Sequence, residues 1–312
     1  MTTNMREAFA DLMVELGDND DKLVVLVGDI SHGILQPFAK KFKERYYNVG
    51  ICEPTIVNMS AGLSKVGLTP VVHTIAPFLI ERSYEQIKLD FGYQQLGVNL
   101  VSVGGAFDYS QLGCSHHCYT DVSLMSHIEN SQVFVPGSAH EFKTLFMQSY
   151  KDKKVNYFRL SENPHNFDSK SWQLSVGKGI VFQSGEDLTI ATTGAQLTVA
   201  NEAARVLGEQ GISTEILYFP TLKPFDFDLI RNSATKTRRL ITLEEISAHD
   251  GLYNLALRAS VGIADLRTKQ LAITGFLHGY GSYHDLCNDA GLTSHSVVKQ
   301  AQILLANSDG IS

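Results

Sequence analysis

Apolar and polar positions fall into alternating blocks along this chain, and the block lengths predict the elements. Residues 5–17 place Ala8, Phe9, Leu12, Met13 and Leu16 at helical spacing and end at Gly17, which predicts a surface helix. Residues 22–30, KLVVLVGDI, form a nearly continuous valine-rich run, the mark of a parallel strand buried on both faces. A helix near residues 37–45 and a short strand at 46–49 come next. Then follow a Gly-Ile-Cys-Glu turn at 50–53, a helix, and a second helix opening with Pro77-Phe78. Apolar strands recur at 71–74, 98–103, 132–135 and 155–160, bridged by helix-like sequence, and this alternation predicts a doubly wound parallel sheet with helices on both faces.

Residues 161–177, SENPHNFDSKSWQLSVG, turn polar and irregular and read as a linker. A second series follows, with strands expected at 179–182, 188–193, 213–218, 239–243 and 271–274 and helices at 196–209, 226–232, 251–261 and 294–305. The expected fold is therefore two tandem open α/β domains: a doubly wound parallel-sheet domain over residues 1–168 and a smaller, mixed α/β domain over 169–312.

Composition narrows this only slightly. A 44% share of hydrophobic residues and 19% of charged ones suits a folded chain with a sizeable core. The net charge of −7 with scattered basic residues argues against nucleic acid, and no apolar run is long enough to span a bilayer. The N-terminal sequence lacks the apolar core of a signal peptide, so a cytoplasmic location is expected. Four cysteines, Cys52, Cys114, Cys118 and Cys287, are too sparse for a disulfide framework. Cys114, His116, His117 and Cys118 crowd together, but no second Cys/His cluster accompanies them, so no metal site is expected in this chain.

In open parallel sheets ligands bind beyond the carboxyl ends of the strands. Asp29, Ser31, Glu53, the 74–78 loop, the glycine-rich 104–118 loop GGAFDYSQLGCSHHC and Arg159 all fall at such places. Glu53 alone reads as a helix-capping carboxylate, since the first turn of a helix favours negative charge. Dinucleotide, P-loop and nucleophile-elbow motifs are missing, and no strong nucleophile stands out, so the hard chemistry is expected to belong to a cofactor.

The run from Arg45 through Gly50-Ile51-Cys52-Glu53-Pro54, with Met59-Ser60-Ala61-Gly62-Leu63 and Thr69-Pro70-Val71-Val72, resembles the pyrimidine-binding domain of transketolase-like thiamin diphosphate enzymes. The likeness continues through Phe78-Leu79-Ile80-Glu81-Arg82-Ser83-Tyr84-Glu85-Gln86-Ile87 and Asp90, and then Gly113-Cys114-Ser115-His116-His117 with Thr120-Asp121. Thr242-Leu243-Glu244-Glu245 and Gly251-Leu252 resemble the transketolase C-terminal domain, so the likeness covers nearly the whole chain.

That resemblance implies roles. Glu53 would hydrogen-bond N1′ of the cofactor's aminopyrimidine and so promote loss of the thiazolium C2 proton. Phe78 would stack on the pyrimidine, with Ile75 where some relatives carry another aromatic and Arg82 in the same cofactor-binding segment. His116 would face the substrate, with Ser115 and Arg159 as further substrate-binding residues. Two positions depart from the family pattern: Leu112 stands where an Asp reads the donor's 2-hydroxyl, and Glu162 where an Arg commonly binds a sugar phosphate. The family's Gly-Asp-Gly and Asn-Asn motifs, which hold Mg²⁺ on the diphosphate, are missing, and Gly28-Asp29-Ile30 is no substitute. The resemblance thus implies a partner chain supplying that domain, an α2β2 assembly, and a sugar or ketoacid substrate. The β subunit of a 2-oxoacid dehydrogenase E1 component, a deoxyxylulose phosphate synthase relative and a catalytically silent partner-binding scaffold are the alternative expectations.

Overall fold

The computed structural model describes residues 4–306. Its first half runs α1 (Met5–Asn19), β1 (Leu23–Val27), α2 (Gln36–Lys41), β2 (Tyr46–Asn48), α3 (Glu53–Lys65) and β3 (Thr69–Ile75). It continues with α4 (Tyr84–Gln86), β4 (Val98–Val103), α5 (Asp121–Ser126), β5 (Ser131–Phe134), α6 (Ala139–Ser149) and β6 (Val155–Arg159). The second half holds β7 (Ile180–Gln183), β8 (Leu188–Thr192), α7 (Leu197–Glu209), β9 (Thr214–Tyr218) and β10 (Thr221–Lys223). After these come α8 (Phe227–Thr237), β11 (Arg239–Ser247), α9 (Leu252–Ser260), β12 (Arg267–Ile273), α10 (Tyr283–Asp289) and α11 (Ser294–Ala306).

Two sheets result. The seven-stranded sheet has the order β10-β5-β6-β4-β3-β1-β2 and the five-stranded sheet the order β12-β11-β8-β9-β7. Each is parallel except for one antiparallel edge pairing, β10 on β5 and β7 on β9. The interior strands β1, β4, β5 and β6 are buried along their whole length, β1 as an unbroken apolar run and the others with polar residues such as Asn99, Gln132 and Asn156 buried among apolar ones, whereas the polar strand β2 closes an edge. Helices α1 and α6 cover one face of the large sheet through residues such as Phe9, Leu12, Phe142 and Phe146. On the other face lie α3, α5 and the helical segment 77–93, and this apolar layer continues into the second half through Leu217, Phe219, Leu240 and Leu252. Helices α7, α10 and α11 cover the far side of the small sheet.

The structure departs from the sequence expectations at identifiable places. Helix α1 runs past Gly17 to Asn19. That glycine serves close packing instead of a stop, since a Cβ there would sit 2.5 Å from the Phe42 ring. The strand expected over 22–30 ends at Val27, because Asp29 and Ser31 adopt left-handed conformations, φ 69° and 59°, that turn the chain. Residues 161–177 are irregular apart from one turn at Ser169–Ser171, yet they are packed: His165 is buried and shares a 2.7 Å contact with the buried Glu141. Strand β10 and helix α10 lie outside the expected elements, and β12 begins at Arg267, four residues before the apolar stretch that announces it.

Among the described residues no helix is long and apolar enough to cross a membrane. All four cysteines are free thiols.

Candidate active site

The loops after β1, β2 and β3 converge on a cleft of about 430 Å³ lined by Arg6, Asp29, Ser31, Ile51, Glu53, Thr74, Ile75 and Phe78. Local chemistry places each group. Gly50, with φ 79°, turns the chain from β2 into α3, and Asn48 Oδ1 accepts hydrogen bonds from the backbone N–H groups of Asp29 and Gly50, locking the two loops together. Glu53 is the first residue of α3, and Cys52 before it makes no side-chain cap.

The Glu53 side chain is only 1% exposed, and its Oε2 accepts a 2.7 Å hydrogen bond from Arg82 Nη1. A buried carboxylate without such a partner would carry a desolvation cost of several kcal/mol, so Arg82 is what makes a charge at this depth tolerable. The same guanidinium lies 4.2 Å from the centre of the Phe78 ring. Phe78 in turn meets the His116 ring edge-on, centroids 5.1 Å apart, and Tyr109 also meets His116 edge-on, at 6.3 Å and 90°. Ser115 Oγ and His116 Nδ1 share a 3.0 Å hydrogen bond. Glu53, Arg82, Phe78, His116 and Ser115 thus form one continuous chain of contacts, and Ile75 adds an apolar wall.

The helical segment carrying Phe78 and Arg82 is unusual. Pro77–Glu81 and Ile87–Tyr93 are wide π turns on either side of α4, and Arg82 N–H reaches back five residues to the Pro77 carbonyl. Such wide turns are rare and are frequently found at functional sites. Glu81, in the same segment, accepts hydrogen bonds from Thr120 Oγ1 and Cys118 Sγ and so ties it to the end of the 104–118 loop. Burial, foremost, pushes the Glu81 carboxyl pKa up.

Arg159 stands apart from this cluster. It is 4% exposed, its Nε faces Asp121 Oδ2 at 3.4 Å, and its Nη2 donates to the carbonyls of Cys118 and Glu245, each at 3.0 Å. Burial alone would lower its pKa, but the charge of Asp121, then those of Tyr157 and Glu245, outweigh burial and raise it. Its visible work is to join the first half of the chain to the second. Leu112 is an exposed side chain on a short turn, Ser110–Leu112.

Behind the cleft lies a second network that no sequence signal announces. His73, buried in β3, donates from Nδ1 to the Val101 carbonyl at 2.7 Å, which leaves Nε2 to accept from Ser31 Oγ at 2.8 Å. Burial, the main cause, and nearby Arg6 lower its pKa to about 4 despite the opposing backbone bond, so the ring is neutral. A histidine inside an apolar strand reads as core, and the signal that could have drawn attention was its place opposite the suspected Ser31 loop. Among the described residues no group of three or more His, Cys, Asp or Glu side chains could hold a metal ion.

Comparison with known proteins agrees with this architecture. Residues 1–165 match the family model of the transketolase pyrimidine-binding domain, and residues 177–297 that of the transketolase C-terminal domain. A 6-deoxy-6-sulfo-D-fructose transketolase subunit of Clostridium sp. (strain MSTE9) is 28% identical over 95% of this chain and 93% of its own length. A subunit of an apulose-4-phosphate transketolase of Phocaeicola vulgatus is 29% identical over 96% and 98%. A solved structure described as a split gene transketolase, an inactive β4 tetramer, superposes with a TM-score of 0.87 at 30% identity, covering 98% of this chain and 99% of that one.

Proposed function

Since the chain belongs to the transketolase family, we propose that it is the pyrimidine-binding subunit of a two-chain, thiamin diphosphate-dependent transketolase. The reaction is transfer of a two-carbon ketol unit from a ketose donor to an aldehyde acceptor. The observation that carries this reading is the buried Glu53 carboxylate at the cleft, with Phe78 and Ile75 beside it. A cleft of about 430 Å³ with Phe78 and Ile75 as apolar walls and the Glu53 carboxylate between its loops fits an aminopyrimidine. Oε2 of Glu53 is engaged by Arg82, which leaves Oε1 for a ring nitrogen.

Thiamin diphosphate, when bound, supplies the carbanion-stabilising chemistry that no side chain here can provide. The chain's own residues bind and orient. Glu53 shares a proton with the pyrimidine nitrogen, and such positioned acid/base groups contribute roughly 10² to 10⁴ in rate. Phe78 and Ile75 hold the ring and exclude water, while Arg82 keeps the carboxylate and the aromatic ring in fixed relation. His116, steadied by Ser115 and Tyr109, presents a ring nitrogen to a substrate oxygen. The diphosphate and its Mg²⁺ belong, on this reading, to a partner subunit carrying Gly-Asp-Gly and Asn-Asn, in an α2β2 assembly. Support comes from relatives named as subunits, which this chain matches over 93% and 98% of their own length.

The test is to copurify the chain with such a partner and measure cofactor binding and C2 proton exchange. Glu53→Gln should leave assembly intact and slow exchange by roughly 10² or more. Normal exchange in that variant removes the role given to Glu53. Turnover of a ketose by this chain alone, with cofactor and Mg²⁺, removes the two-chain reading.

A further inference from the structure

Arg6 is the group with a fixed positive charge among the described residues lining the cleft, and it is held from two sides. Its Nη1 pairs with Glu162 Oε1 at 3.1 Å, and its Nε and Nη2 donate to Ser31 Oγ at 3.2 and 3.0 Å. Both partners are themselves fixed. Ser31 Oγ donates its proton to His73 Nε2, so its lone pairs face the guanidinium. Glu162 sits on a turn whose backbone N–H donates to Asp108 Oδ2, while Ser161 Oγ and Asn163 Nδ2 donate to Asp108 Oδ1. The ion pair is therefore held from both ends, with Arg6 on the cleft wall and Glu162 beside it, and is not a chance rotamer of two long side chains.

The other charges facing this region do not favour an anion either. Asp29 lines the same wall, and Glu53 is already matched by Arg82. A phosphate dianion here would have to displace Glu162 from Arg6 and remain beside it. A hydroxyl chain meets no such barrier, since it can donate to the Glu162 carboxylate and accept from the Arg6 N–H groups not yet used.

We propose that the Arg6–Glu162 pair selects a donor whose tail is an uncharged polyol, so that this enzyme takes an unphosphorylated ketose. The inference rests on the transketolase reading above and specifies its substrate class.

The experiment compares D-xylulose with D-xylulose 5-phosphate as donors for the two-chain complex. The unphosphorylated ketose should have the higher kcat/KM. Glu162→Gln frees Arg6 and should raise kcat/KM for the phosphorylated donor about tenfold to a hundredfold, the effect of removing one unit charge roughly 6 Å from a singly to doubly charged phosphate at an effective dielectric near 40. The gain should vanish in the double variant Arg6→Met, Glu162→Gln. A second arm needs no turnover: the full-length chain carrying Glu162→Gln should bind inorganic phosphate about tenfold to a hundredfold more tightly than the unaltered chain at fixed ionic strength. A complex that binds cofactor and exchanges the C2 proton yet prefers the phosphorylated donor overturns this inference alone. Equal phosphate binding by the two chains overturns it as well, whatever the complex does. Failure to bind cofactor or to exchange overturns the transketolase reading instead.

Discussion

Replacing Arg159 with methionine tests whether this arginine is an internal strut. Methionine retains much of the apolar stem and removes the charge, so the change isolates the guanidinium. What remains is Asp121, fully buried, with Oδ2 still accepting from Tyr157 at 2.5 Å and Oδ1 without a partner. Breaking a buried pair from one side costs about 3 to 5 kcal/mol, because the surviving charge is left uncompensated. The Glu245 carbonyl also loses a donor, while that of Cys118 keeps the bond from Ala106. A loss of about 4 kcal/mol is a quarter or more of the roughly 5 to 15 kcal/mol that holds a domain folded. In a thermal melt it should lower Tm by about 8 to 16 °C. Asp121→Asn should also destabilise, but adding it to Arg159→Met should cost less than the sum, since neither charge is then stranded. A melt within about 2 °C of the parent, with a raised donor KM, would refute the strut and restore Arg159 to the substrate. Strict additivity of the two changes would refute the pairing.

Two further outcomes are expected. His73 has a folded pKa of about 4 against an unfolded value near 6.5, so only the unfolded chain takes up its proton in between. Its contribution is intact above pH 6.5 and is lost, at about 1.4 kcal/mol per pH unit, as the pH falls towards 4. Denaturant unfolding across this range should therefore show the parent losing ground relative to His73→Gln as pH falls, and parallel curves would contradict the assignment. Glu244, raised by burial to about 7, has the opposite slope but cancels in the difference between the two proteins. At Gly104, φ is 81° and an added Cβ would lie 2.3 Å from the Tyr109 ring. Gly104→Ala should cost about 1 to 3 kcal/mol in a melt and, by shifting the ring that abuts His116, lower donor kcat/KM with cofactor affinity unchanged; an unaltered kcat/KM would remove Tyr109 from the positioning of His116.

Much of this was legible in the chain because its signals are local. The valine-rich run at 22–30 could only be a buried strand, and Glu53 and Phe78 stand in short sequence patterns that carry their own context. What escaped is set by contacts between distant positions. Arg6 meets Glu162 across 156 residues, and nothing near either announces the other. Arg159 ends β6, and its contacts with Asp121 and Glu245 join positions far apart in the chain. Strand β10 is three residues long and is a strand only because β5 lies beside it. Helix α10 is different: the capping box of Ser282 and Asp285 was readable and marks its start.

That short strand sets an order on how the molecule is made. Residues 221–223 follow β7, β8 and β9 of the small sheet in the chain, yet they cover the bare edge of β5 in the large one. On the ribosome, about ninety residues emerge between the β5 edge and its cover. Throughout that interval a strand destined for full burial has an open row of backbone donors and acceptors, the arrangement that invites pairing with a neighbouring chain. Chaperone demand should peak in that window, and Lys223 closes it by clamping its amine onto the carbonyls of Ser126 and Ile128.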